Sequence, residues 1–331
     1  MSSVNSDGAS FLEKMVARPR PVWAMLGVAV FLLALPFIGA YLDGQLTELL
    51  RSGYWRPLLV APVVILYILI VSPILAQSDV RVLSAFRPIV MLDDAKFAEV
   101  VRRAGRTKPA YEFLVLGGGV LFGAWLGARD VGQIQLNWTF VITTSLNCLM
   151  FGLLALVIYW SILGTRVISA LHRQSLRFDL FDLTPFEPIG RQSLVLALTF
   201  VGGITLSLAF VLALQNLFSW QNLLTYALLA LVPLVVFFLN MRDTHQTLAQ
   251  TKARELENVE RLFVRAAREL QQRVGAAENA DGLSAQVTAL AQYREFVRNA
   301  RTWPYDTAAL RTLFVSLLIP AGAAVAKQVF E

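Results

Sequence analysis

Along this chain, uncharged apolar runs alternate with short segments that hold nearly all the charge. Six runs, near residues 22–42, 57–76, 113–128, 139–163, 193–214 and 223–240, contain no internal Asp, Glu, Lys, Arg or His, and each is flanked by charge, Trp or Tyr. About 20 apolar residues in a helix cover the hydrocarbon thickness of a bilayer, and Trp and Tyr prefer its interface. The pattern therefore predicts six transmembrane helices. A seventh run, 313–326, is shorter and contains Pro320; a membrane-embedded C-terminal helix is the expectation there.

The polar segments are patterned as well. Between the second and third runs, Asp93 or Asp94 can cap a short helix over 95–104, with Phe97, Val100 and Val101 on one face and Gly105 as a stop signal. Such a helix is expected to lie along the membrane surface. The segment RFDLFDLTPFEPIGR, 177–191, interleaves Phe178, Leu180, Phe181, Leu183 and Phe186 with Asp179, Asp182 and Glu187. Apolar residues this dense in a loop need burial, so it should dock into the interface or against the helix ends.

After the sixth run the period changes character. Leu256, Val259, Phe263, Ala266 and Leu270 follow a 3,4 spacing, while Glu257 with Arg261, Arg265 with Glu269 and Glu269 with Arg273 form i,i+4 pairs on the wet face. GAAENADG, 275–282, is a turn by composition, and Leu283, Val287, Leu290, Phe296 and Val297 resume a helical stripe. The simplest product is an antiparallel helical hairpin. The chain thus divides into an N-terminal segment (1–21), a six-helix transmembrane domain (22–240), a hairpin (241–303) and an apolar C-terminal helix (304–331). The expected fold is an all-α polytopic membrane bundle with a cytoplasmic hairpin.

Composition agrees with this reading. Only 16% of the 331 residues are charged, against about 25% in ordinary soluble domains, and the mean hydropathy is +0.58. Basic residues then set the orientation through the positive-inside rule. With the N-terminus in the cytoplasm, only Arg51, Arg56 and Arg129 of the 29 Lys and Arg lie outside, offset by Asp43, Glu48 and Asp130. The net charge of +6 then faces the cytoplasm and implies an anionic inner leaflet of the plasma membrane as partner. No base-reading motif accompanies it, so nucleic acid is not expected. The single cysteine, Cys148, lies in the fourth run, which excludes an intrachain disulfide framework and a multi-cysteine metal site. The polar N-terminus carries no clear cleavage site and is expected to be retained.

Candidate chemistry is sparse. LVLGGGVLFGAWLG, 114–127, superficially offers a phosphate-cradling turn. The third glycine is one residue late for a dinucleotide fingerprint, no Lys follows, and the next acid is Asp130. As a membrane helix the stretch makes sense, because Gly119, Gly123 and Gly127 stand at i, i+4 and i+8 and form one groove for a neighbouring backbone. Thr139, Thr143 and Asn147 share a face of the fourth run, and Thr199, Gly203 and Ser207 share one of the fifth. The third, fourth and fifth helices are expected to pack together through these faces, with Gly203 among the packing glycines. Thr143, Asn147, Thr199 and Ser207 form a candidate polar path, with ordinary packing favoured over it. Asp179, Asp182 and Glu187 form a candidate interfacial acidic cluster, with pairing to arginines favoured over cation binding.

The apolar runs hold no ionisable group, which argues against proton relays and voltage sensing. Pro62 and Pro73, with Ser72 beside the latter, permit a kink or a local cation-binding gap in the second helix. The two histidines, His172 and His245, are read as surface or interfacial residues rather than haem ligands. No serine elbow, zinc motif or catalytic dyad occurs, so no catalytic residue, cofactor or metal is expected. The leading expectation is a non-enzymatic channel or membrane-signalling component. Its hairpin would assemble homo-oligomers or bind a cytoplasmic helical partner. The alternatives are a passive transporter of a neutral or amphiphilic solute and a scaffold without transport.

Overall fold

The computed structural model describes residues 11–129, 137–211, 220–276, 281–303, 311, 312 and 314–316. Apart from 314–316, the seventh run expected at 313–326 lies outside them. The described chain is built from helices, with one isolated antiparallel bridge between Val90 and Leu176. An apolar chain in a bilayer must satisfy its backbone polar groups internally, and the helix does this within one segment.

In chain order the helices are α1 (Phe11–Ala17), α2 (Val22–Leu42), α3 (Leu46–Ser52), α4 (Trp55–Leu58), α5 (Val60–Phe86), α6 (Asp94–Gly105), α7 (Pro109–Arg129), α8 (Trp138–His172), α9 (Glu187–Val211), α10 (Trp220–Gly275) and α11 (Asp281–Asn299). Five of them, α2, α5, α7, α8 and α9, carry stretches long and apolar enough to cross a bilayer. These five candidate spans support a membrane protein of the polytopic helical kind. The run expected to be the sixth span lies within α10, which is helical throughout. Several helices outrun their apolar stretches at the same end of the bundle: α5 continues to Phe86, α7 starts at Pro109, α8 reaches His172 and α9 starts at Glu187. The charged half of α10 leaves from this end, which we call the shaft end.

α7 lies along α8, brought close by glycine. A Cβ built on Gly119 would fall 2.5 Å from the Phe151 carbonyl oxygen, and one on Gly123 2.7 Å from that of Asn147. Only a residue without a Cβ permits such backbone approach. At Gly127 the nearest atom is the Thr144 hydroxyl oxygen, at 3.3 Å. The expected union of the third, fourth and fifth helices is otherwise rearranged. α9 packs against α5 and α10 rather than along α8, and the main core joins Val64, Ile65 and Ile68 of α5 to Leu146, Met150 and Leu153 of α8 and to Leu196 and Phe200 of α9. α5 is the central element because its bulky branched side chains serve both neighbours. Glycine's close approach on α9 falls at Gly202, where a Cβ would run into the Tyr67 hydroxyl, while at Gly203 it would meet the same ring at an ordinary 3.6 Å.

The end opposite the shaft is fastened by Asp43, just past α2. Its carboxylate accepts the Trp138 and Thr139 N–H groups, at 2.9 and 2.8 Å, and the Thr139 hydroxyl at 2.6 Å. Asn137 adds a bond from the Phe140 N–H at 3.1 Å. Two side chains thus cap the N-terminus of α8, one of them from another helix.

Candidate functional site

At the shaft end, the 177–191 segment joins the bundle to the long helix. Phe186 is fully buried in a cluster with Phe86, Phe97, Ile168, Leu171 and Leu248, against which Phe178 and Leu183 also pack. Phe186 meets Phe178 at 4.9 Å and Phe86 at 6.0 Å, both nearly edge-to-face, a favoured aromatic geometry. Leu180 is buried with Val259 of α10 and Val297 of α11. Phe181 meets the Tyr293 ring at 5.9 Å. One short segment therefore holds the bundle through some of its apolar residues and the α10–α11 pair through others.

Two of its acids fix the backbone. Asp179 accepts the Phe181 N–H at 2.9 Å and Asp182 the Thr184 N–H at 3.1 Å, the local turns that Asp favours. Hydrogen bonding from Thr184 holds the Asp182 carboxyl below its ordinary value. Glu187 opens α9, where the N-terminal end of the helix favours a negative charge. Among the described residues, no group of three His, Cys, Asp or Glu side chains is placed to hold a metal ion. The segment is also tied to the loop before α6, with Met91 N–H bonded to the Ser175 carbonyl at 3.0 Å and Arg177 N–H to that of Ile89 at 2.8 Å.

α6 completes the junction. Of the two acids the sequence offers as caps, Asp93 takes the role by accepting the Lys96 N–H at 2.8 Å, while Asp94 is the first helical residue. Phe97 and Val101 are buried and packed toward α8, so the apolar face is turned onto the bundle rather than left for lipid. Arg87 pairs with Asp94 and lies 5.3 Å above the Phe97 ring.

α11 runs back along α10. Tyr293 donates to Glu255 at 3.0 Å, Arg294 pairs with Glu260 at 3.3 Å and the Lys252 ammonium donates to the Ala300 carbonyl at 2.8 Å. Two of the three expected pairs, Glu257–Arg261 and Glu269–Arg273, are present at 3.6 and 2.8 Å, and Glu269 pairs with Arg273 rather than Arg265. In the α11 stripe Val297 is fully buried, whereas Phe296 is 66% exposed. Past α11, Trp303 stacks on His245 with ring centroids 4.0 Å apart, and the His245 Nδ1 lies 3.0 Å from the Thr302 carbonyl oxygen. Trp303 also packs on Phe237, Met241 and Val201. His172 lies near the Phe86 and Phe186 rings, with its Nδ1 2.9 Å from the Ile168 carbonyl oxygen. The two histidines thus occupy separate settings.

The residues of the candidate polar path are placed differently from one another. Thr143 donates to the Thr139 carbonyl at 2.7 Å, Thr199 to that of Val195 at 2.8 Å and Ser207 to that of Gly203 at 2.9 Å. Each hydroxyl proton is spent on its own helix. The Asn147 backbone forms the wall against Gly123, and α5 stands between α8 and α9 in the core.

Ionisable side chains do enter the bundle near the shaft end, at positions the apolar runs do not reveal. Glu112 is almost fully buried, accepting from the Thr107 hydroxyl at 3.2 Å and approached by the Trp160 indole N–H at 3.4 Å. Asp79 accepts from the Gln192 amide beside a cavity of about 50 Å³ that Ser72, Trp160 and Ser161 also line. Glu112 carries a readable signal: Pro109 at the first helical position and an acid in the first turn mark a helix start before hydropathy rises. Asp79 carries none, because its pairing depends on α9 supplying Gln192. Comparison with known proteins returned no matching family model, curated protein or solved structure.

Proposed function

We propose that the protein is a non-enzymatic, oligomeric component of the cell membrane, of the channel or signalling kind, in which the α10–α11 hairpin lies in the cytoplasm and mediates assembly. The carrying observation is the continuity of α10, a single helix of 56 residues, about 84 Å at 1.5 Å per residue and more than twice the bilayer's hydrocarbon thickness. Its shaft is clamped by α11 and joined to the bundle through the 177–191 segment, so displacement of the hairpin is mechanically coupled to the helix ends. The distribution of basic residues supports the cytoplasmic orientation. Own-helix bonding of Thr143, Thr199 and Ser207 favours assembly over a carrier path through those side chains.

Leu262 and Phe296 are exposed apolar residues of the hairpin, at 52% and 66%, and suit contact with a second copy. Replacing both with Ser should shift the protein from oligomer to monomer in native mass spectrometry from nanodiscs, with helix content retained. A wild type that stays strictly monomeric at high concentration, in detergent and in nanodiscs, would overturn the reading.

A further inference from the structure

A groove of about 430 Å³ opens between α8 and α10 near the shaft end, with Ala104 of α6 at its edge. One wall is a single face of α8, where Ile162, Thr165, Arg166 and Ser169 recur at helical spacing and Arg173, the residue that caps the helix, continues the row. The other wall carries Leu239 and Asp243, one turn apart on α10. Polarity changes in the same direction on both walls. Ile162 and Leu239, 41% and 43% exposed, lie toward the bilayer interior, while Arg166, Arg173 and Asp243 lie toward the shaft end. Arg166 and Arg173 are exposed, two turns or about 10 Å apart along the axis, and neither has an ion-pair partner among the described residues.

A free phosphate would use only the polar half of this groove. An amphiphile with an anionic head and an acyl body uses both halves. Guanidinium groups grip phosphate oxygens in a two-pronged geometry, and basic recesses between transmembrane helices attract anionic headgroups. Asp243 opposes the two arginines, leaving the lining with one net positive charge.

We propose that this groove binds one anionic phospholipid, its phosphate held by Arg166 and Arg173 and its acyl region lying against Ile162 and Leu239. The inference requires only that the bundle spans a bilayer, and is independent of how copies assemble. Native mass spectrometry of protein released from nanodiscs containing phosphatidylglycerol and phosphatidylcholine of identical acyl chains tests it. One phosphatidylglycerol should be retained in preference to phosphatidylcholine. Arg166→Gln with Arg173→Gln should weaken that retention roughly 25-fold, about fivefold for each charge. Arg265→Gln with Arg268→Gln on the shaft should leave it unchanged, and Asp243→Asn should strengthen it several-fold, an effect that does not depend on the arginine variant folding. Equal retention of the two lipids by the wild type, undiminished binding in a folded arginine double variant, or no gain on Asp243→Asn would overturn the proposal. Displacement of the lipid by millimolar inorganic phosphate would also overturn it, by showing an ion site without a role for the acyl wall.

Discussion

A methyl group on Gly123 would stand 2.7 Å from the Asn147 carbonyl oxygen and 2.9 Å from the Cys148 Cα. Backbone cannot swing aside as a side chain can, so Gly123→Ala should push α7 off α8 at a cost of about 1–3 kcal/mol. Gly117 faces open space, and Gly117→Ala should be neutral or mildly stabilising because Ala is the better helix former. Thermal unfolding of both variants in one detergent measures the difference; equal midpoints would remove the packing role. The Asp43 prediction concerns pH. Its carboxyl lies below the ordinary value of 3.8, chiefly through the Thr139 hydroxyl and further through the Thr139 and Trp138 N–H groups. A depressed carboxyl contributes stability above its unfolded value and loses it as pH falls through the folded one. Asp43→Ala should therefore lower the unfolding midpoint at neutral pH, and the gap from wild type should close as pH drops below 3.8. The spacing of Gly119, Gly123 and Gly127 is legible in sequence because one helix supplies all three. The role of Gly202 is not, since Tyr67 comes from another helix.

Among the elements, the pairing of α10 with α11 rests on a short seam. Val259, Val297 and Leu180 form its buried patch, and the His245–Trp303 stack holds the return of the chain against the bundle. Trp303→Ala should release residues 281–303 from the shaft, seen as faster amide exchange there while α8 and α9 keep their protection. Unchanged exchange would show that the seam suffices alone. Periodicity forecast both helices, yet it placed Phe296 and Val297 together on the buried stripe. Adjacent helical residues point about 100° apart, and contact with Val259 and Leu180 selects Val297. Hydropathy likewise ended the spans too early. It responds to apolar composition, whereas a helix continues as long as its backbone bonds do, through Asp79 and Arg81 of α5 to Phe86.

In the whole molecule, the 177–191 segment links parts that the chain presents as separate. Phe186→Ala removes a fully buried ring from the junction and should cost about 3–5 kcal/mol. If the junction couples the two parts, amides at the shaft-end ends of α5 and α8 and those of the hairpin should lose protection together. Loss confined to either side would show the parts to be independent. The sequence by itself determined the apolar stretches of five candidate spans, the pair of acids from which the α6 cap is drawn, the spacing of the α7 glycines and the amphipathic character of α10. All of these depend on residues within one helix or one turn, so local period and composition carry them. Only the tertiary structure decided that α5 rather than α8 stands against α9, and that Asp43 caps a helix 95 residues further on. The burial of Glu112, the pairing of Asp79 with Gln192 and the convergence of α8 and α10 on one basic groove were settled at the same level. Each depends on partners from different helices, and a hydrogen bond or buried contact between them exists only once packing has fixed which faces meet.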